Sequence, residues 1–173
     1  IIELAHSVDV AIIDYDRLTI EGEGADYYVS FDNESVGRLQ GEGLVAAIEA
    51  AQEAGSIGDS PQVAMLDGSP TDNNATLFRN GAYEVLEPYF TNEGWVLVAE
   101  QAVPNWDYEE ARFIFEVMLT GGSDIDAVLA ANDGLAQAVI TTLATNDADF
   151  VPLTGQDATV EGIQSILAGQ QSM

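Results

Sequence analysis

The sequence has no cysteine, no lysine and one histidine, His6. Its only basic residues besides that are four arginines, Arg17, Arg38, Arg79 and Arg112. Without cysteine there is no disulfide, no thiolate zinc site and no thiol nucleophile. Without lysine there is no Walker A phosphate loop, no Schiff base and no catalytic ammonium. His6 lies ahead of the first strand, away from every polar cluster, and is expected to be structural or exposed. A histidine triad and a histidine metal site are therefore excluded. Long apolar runs are missing as well; none approaches the ~18–20 residues of a membrane helix. No basic start followed by an apolar run and a small-residue cleavage site marks a signal peptide.

What is present is acid. Thirty Asp and Glu residues face the four arginines, for a formal charge of -26 over 173 residues. Such a surface repels phosphate backbones and anionic membranes, so neither nucleic acid nor membrane insertion is expected. Hydrophobic residues make up 47% of the chain, enough for one sizeable core and unlike a disordered acidic tail. Charge of one sign with no lysine is read as adaptation to high salt, where screening relieves self-repulsion. The expected result is a melting temperature that rises in molar salt; an equal melt with and without salt would refute it.

Strands alternate with helices along the chain. Short apolar runs read as strands at Val8–Ile13, Tyr27–Phe31, Pro61–Leu66, Trp95–Ala99, Ile125–Ala131 and Phe150–Thr154. Helical spacing follows each of the later ones. One helix starts at Asp32–Ser35 and stops at Gly55. A second is capped by Thr71 or Asp72 and ends before Pro88. A third opens at Asp107 and closes at Gly121–Gly122. A fourth runs from Asp133 through Leu143, and a fifth from Thr159 to Ala168. This order predicts an α/β fold with an open, mostly parallel sheet flanked by helices.

Each strand runs into polar residues at its C-terminal end: Asp14-Tyr15-Asp16-Arg17, Asp32-Asn33, Gly68 to Asn74, Asn105-Trp106-Asp107, Asn132-Asp133 and Gly155-Gln156-Asp157. In an open parallel sheet these ends share the edge where ligands bind. Carboxylates, carboxamides, one guanidinium and one indole suit a ring of hydroxyls, and an indole face suits the C–H face of a pyranose. One cation among many anions suits a phosphate badly. Helix capping explains part of Asp32-Asn33, Asp72-Asn73-Asn74 and Asn132-Asp133, since these precede helices. Trp106 also reads as an ordinary core or surface aromatic, and Arg17 beside Asp16 as a surface ion pair.

Two enzymatic readings fit poorly. Asp14-Tyr15-Asp16 loosely resembles the aspartate pair of haloacid-dehalogenase-type phosphatases, but Leu18 stands where those enzymes carry threonine or valine, and their lysine is absent. A glycoside hydrolase would need two carboxylates in defined roles, whereas six loops of Asp, Asn and Arg look more like a recognition shell. Asn33-Glu34-Ser35 and Asn74-Ala75-Thr76 match the glycosylation pattern, which is common by chance.

The strings Asp14 to Arg17, Tyr28 to Asn33, Gly68 to Ala75, Asn132-Asp133 and Gly155 to Asp157 resemble the sugar-binding proteins of bacterial ABC importers, in the ribose/galactose-type periplasmic binding family. The resemblance covers nearly the whole chain. It implies two α/β lobes that close on a sugar. Residues 1–30 would be the end of the N-terminal lobe and its crossover. Residues 31–173 would be the C-terminal sugar-binding lobe, incomplete at its C-terminal end. By the same resemblance Asp16 and Arg17 grip hydroxyls from one lobe. Asp72 with Asn73 or Asn74 does so from the other. Trp106 stacks on the ring, and Asn132 and Asp157 complete the shell, with Tyr15 and Gln156 as supports. The implied ligand is a monosaccharide, D-xylose first, passed to an ABC permease by a periplasmic or extracellular monomer without metal, cofactor or catalytic residues. A chain holding one lobe and a sliver of the other is expected to bind sugar weakly or not at all on its own. The effector domain of a LacI-type regulator and a sugar-metabolising enzyme stand as alternatives.

Overall fold

The computed structural model describes residues 1–122 and 124–173. Its elements are α1 (Ile2–His6), β1 (Ile13–Tyr15), β2 (Tyr27–Val29), α2 (Asn33–Glu53), β3 (Gln62–Asp67), α3 (Asn73–Asn92), β4 (Val96–Ala102), a 3-10 turn at Pro104–Trp106, α4 (Tyr108–Thr120), β5 (Ala127–Ala130), α5 (Asp133–Thr145) and α6 (Val160–Leu167). Strands β4, β3 and β5 form a parallel sheet in that spatial order. A separate parallel pair, β1 with β2, aligns Ile13 with Tyr27 and Tyr15 with Val29.

The core is two-sided because a parallel sheet is covered on both faces. Val63 and Met65 of β3 and Ala127 and Leu129 of β5 point to one side, onto Leu44 and Ile48 of α2 and Ala82 and Leu86 of α3. Their alternate neighbours Ala64, Leu66, Val128 and Ala130 point to the other, onto Phe115 of α4 and Leu135 and Val139 of α5. Side-chain oxygens start the five helices after α1: Asp32 accepts from Ser35 N, Asp72 from Asn74 N, Asp107 from Glu110 N, Asn132 from Leu135 N and Thr159 from Gly162 N.

Helices α2 and α3 meet backbone to backbone. A Cβ on Gly37 would overlap the carbonyl of Phe78, and one on Gly81 would overlap that of Glu34. One buried side chain ties the layers together. Gln40 Nε2 lies 3.0 Å from Ala131 O, 3.3 Å from Gly155 O and 3.4 Å from Ala130 O.

Three boundaries differ from the sequence reading. Val8–Ile13 is not a buried strand. Val8, Asp9 and Val10 donate back to Ala5 and His6, Asp9 takes φ 57, and Val8, Val10 and Ile13 stay exposed. The strand is shifted to Ile13–Tyr15. Pro88 lies inside α3, which runs on to Asn92. It removes one helical N–H, yet the final turn is pinned where Tyr89 packs on Trp95, ring centroids 4.5 Å apart. Phe150–Thr154 reduces to one bridge, Leu153 with Val128. Pro152 has no N–H to continue a ladder, though its carbonyl accepts from Val128 N at 2.8 Å.

None of residues 1–32, all of them described, is buried. Within that segment His6 spans two carboxylates, Nδ1 to Glu23 at 3.2 Å and Nε2 to Asp26 at 3.0 Å. The bond to Glu23, then that to Asp26, raises its pKa. Among the described residues no helix is long and apolar enough to cross a membrane.

Candidate ligand-binding site

The C-terminal ends of the strands and the N-terminal ends of α2, α3 and α5 surround a hollow of about 220 Å³. Asp16, Arg17, Asp72, Asn74, Trp106, Asn132 and Asp157 line it together, although they come from five separate loops. Asn73 does not line it. As the first residue of α3 it is passed over between Asp72 and Asn74, which both are buried. Tyr15, expected as a support, is exposed and also absent from the wall.

Asp72 organises the centre. Its Oδ1 accepts from Asn74 N at 3.0 Å and so caps α3. Its Oδ2 accepts from the indole Nε1–H of Trp106 at 3.0 Å and lies 3.2 Å from Arg17 Nε. Capping and site formation are thus one function of one residue. Arg17 is well exposed, so its ion pair with the buried Asp72 stays open to competition from a ligand.

Trp106 sits on the backbone of Gly68, where any Cβ would overlap the indole ring. Phe78 meets the indole edge-on, centroids 6.5 Å apart at 69°. The turn that presents it is strained. Asn105 and Trp106 both take φ 56, a left-handed conformation that side chains disfavour. Asn105 N donates to Ser69 Oγ at 3.1 Å, which fixes the turn to the loop after β3.

Asn74 joins the two parts of the chain. Its Oδ1 accepts from Tyr28 Oη at 3.1 Å and from Asn33 Nδ2 at 2.9 Å, and its Nδ2 donates to Asp16 O at 3.0 Å. Ser30 Oγ donates to that same Asp16 carbonyl, and Tyr28 Oη, also 3.1 Å from it, has a single proton to share between this carbonyl and Asn74 Oδ1. Asp16, at φ 69, is therefore held in place by its backbone, which leaves its carboxylate free for the hollow. Of the Asn74 amide, one N–H is left over. Both glycosylation-pattern asparagines, Asn33 and Asn74, are buried in this network and so are closed to a glycan.

Asn132 Oδ1 caps α5 through Leu135 N at 2.9 Å, while its side chain also hydrogen-bonds Asp157. Asp157 takes φ 103. Burial first, then the charges of Asp133 and Asp16, hold its carboxyl above the ordinary range. Three carboxylates against one guanidinium make the hollow a poor place for an anion. They make it a good place for a neutral ligand rich in O–H donors.

Phe31, Asn33, Phe78 and Gln156 complete the lining. Phe78 is at once a buried core residue and part of the lining. Its signal was spacing: it lies four residues after Asn74, on the same face of α3. Phe31 carried a signal too, as the last residue before the Asp32 cap.

The family model for the periplasmic binding protein domain matches residues 1–173. The D-xylose-binding periplasmic protein of Escherichia coli is 37% identical over 175 residues, covering 100% of this chain and 50% of that protein. The multiple sugar-binding periplasmic protein SbpA of Azospirillum brasilense is 35% identical, covering 99% of this chain and 51% of that protein. The crystal structure of an ABC transporter solute binding protein from Clostridium phytofermentans with bound β-D-glucose superposes with a TM-score of 0.85 at 30% identity, over 98% of this chain and 55% of that one. The chain thus spans about half the length of the curated relatives it matches.

Proposed function

The chain belongs to the periplasmic binding protein family, and from that premise we propose that it is the greater part of one lobe, with the edge of a second, of a sugar receptor for an ABC importer. The observation that carries the reading is the make-up of the hollow: carboxylates, carboxamides and one guanidinium around an indole, with negative charge in excess. Hydroxyls satisfy such a ring as donors and acceptors at once, while a phosphate would meet Asp16, Asp72 and Asp157. The relatives named above are binding proteins rather than enzymes, which agrees with a wall built for recognition.

In this proposal residues 1–30 belong to one lobe and bring Asp16 and Arg17. Residues 31–173 belong to the other and bring Asp72, Asn74, Trp106, Asn132 and Asp157. Trp106 stacks on the ring and the rest bond hydroxyls. D-xylose is the first candidate, on the strength of the relative named for it; a hexose is the next, given the glucose in the similar structure. The place of action is the periplasm or the outer surface, and the partner is a permease.

The test follows the indole Nε1–H of Trp106 by NMR during titration with D-xylose, D-glucose and a sugar phosphate. A saturable shift at millimolar sugar is expected for an uncharged monosaccharide, and none for the phosphate. No shift with any uncharged monosaccharide, in this chain or in the longer protein that carries both lobes, would overturn the sugar reading. Micromolar affinity in calorimetry would instead overturn the division into two lobes, since a clamp with one jaw mostly open forms too few bonds for it.

A further inference from the structure

Behind the indole lies a cluster the hollow does not use. Asp67 closes β3, Glu100 stands on β4 opposite Met65, two residues before Asp67, and Arg79 reaches both from α3. Arg79 Nε bonds Glu100 Oε1 directly but stands 3.9 Å from Asp67 Oδ2. Asp67 Oδ1 is buried without any hydrogen-bond partner among the described residues. The other neighbours offer Asp67 little: Tyr83 of α3 lies under the Arg79 guanidinium at 5.0 Å, and β5 presents only Ala127 to Ala130. A carboxyl in this position has one guanidinium to share with a competitor already bonded to it. Burial, followed by the charge of Glu100, raises its pKa to about 7, against the pull of Arg79.

The next residue in the chain is Gly68, the floor under Trp106. Asp67 O also accepts from Val103 N at 3.0 Å, at the start of the turn that carries the indole. Asp67 therefore touches both supports of Trp106 through its own backbone.

We propose that Asp67 is a positioning residue whose proton controls the placement of Trp106. With the proton on, Asp67 is neutral and Arg79 serves Glu100 alone. With the proton released to solvent, the carboxylate is drawn to Arg79 and repelled by Glu100. The end of β3 then moves, and Gly68 has no free space to absorb the movement before it reaches the indole. The inference concerns the seat of the indole and holds whichever ligand the hollow takes.

The experiment is a pH titration of the 173-residue chain from about pH 5 to 9, following the two indole Nε1–H signals by NMR, with Trp106→Phe for assignment. The Trp106 signal is expected to move with a midpoint near 7. In Asp67→Asn the movement is lost. A Trp106 signal that stays still in the unsubstituted chain, or still moves in Asp67→Asn, overturns the proposal; the latter would point to His6 or Asp157. Should Asp67→Asn not fold, Glu100→Gln decides. It removes the competing charge and frees Arg79, so the midpoint must fall. An unchanged midpoint in that variant overturns the proposal equally.

Discussion

Gly68→Ala is expected to lower ligand affinity by about 10- to 100-fold while leaving the fold intact. The added methyl would occupy the space of the indole ring, so Trp106 has to leave. It then loses the hydrogen bond to Asp72 and the edge contact with Phe78. A hydrogen bond to a charged group contributes about 1.5–3 kcal/mol, and an aromatic pair about 0.5–1.5 kcal/mol. Part of each is recovered in water, which leaves the stated range. Gly68 follows the last core residues of β3, so the sheet itself is not strained. The check is threefold. Binding should weaken, Trp106 fluorescence should shift to the red, and the thermal midpoint should move by only a few degrees. An unmoved indole signal would show that the loop yields instead of the ring.

A second glycine carries the fold rather than the site. Gly37→Val is expected to cost about 3 kcal/mol or more, at the top of the range for overpacked cores. In a chain of this size that lowers the melting temperature by roughly 6–12 °C. The reason is the partner. A side chain at Gly37 meets the carbonyl of Phe78 and also its Cα, at 2.9 Å, and a helix backbone cannot turn aside as a side chain can. The helices must part. Gly81→Val acts at the same crossing, against Glu34 O and Arg38 N. The two substitutions should therefore be sub-additive, since helices already separated accept the second at little further cost. Strict additivity in denaturant unfolding would show that each is absorbed locally. Separation also pulls Asn33 away from Asn74, so the hollow should loosen with the fold.

Much of this architecture was legible beforehand because local chemistry and tertiary need agree. Asp32, Asp72, Asp107 and Thr159 stand at helix starts in sequence and in structure, since an acceptor there satisfies free N–H groups wherever the helix packs. The strands β3 and β5 were legible as apolar runs because both faces are covered. Val8–Ile13 misled for the same reason. Its composition is that of a buried strand, yet Asp9 turns the chain back and no described element covers it. Pro88 misled because a proline rule is local, while the turn after it is held by Trp95 from outside the helix. In the hollow, strand-end position pointed to the clusters and the family resemblance to the single residues, and Asp16, Arg17, Asp72, Asn74, Trp106, Asn132 and Asp157 share its lining. Choosing Asn74 over Asn73 needed the helical phase, and the brace from Tyr28 needed a contact across 46 residues. Nothing in a linear pattern reports either.

The amide of Gln40 gives this arrangement a lever. A single NH2 group spans the carbonyls just before Asn132 and just before Gln156, so two recognition loops share one fastening. Neither can drift alone. The gap between them, and with it the size of molecule the wall admits, is set by a residue that never meets the guest. A substitution at position 40 on α2 would accordingly shift both loops at once, with every residue of the hollow unchanged.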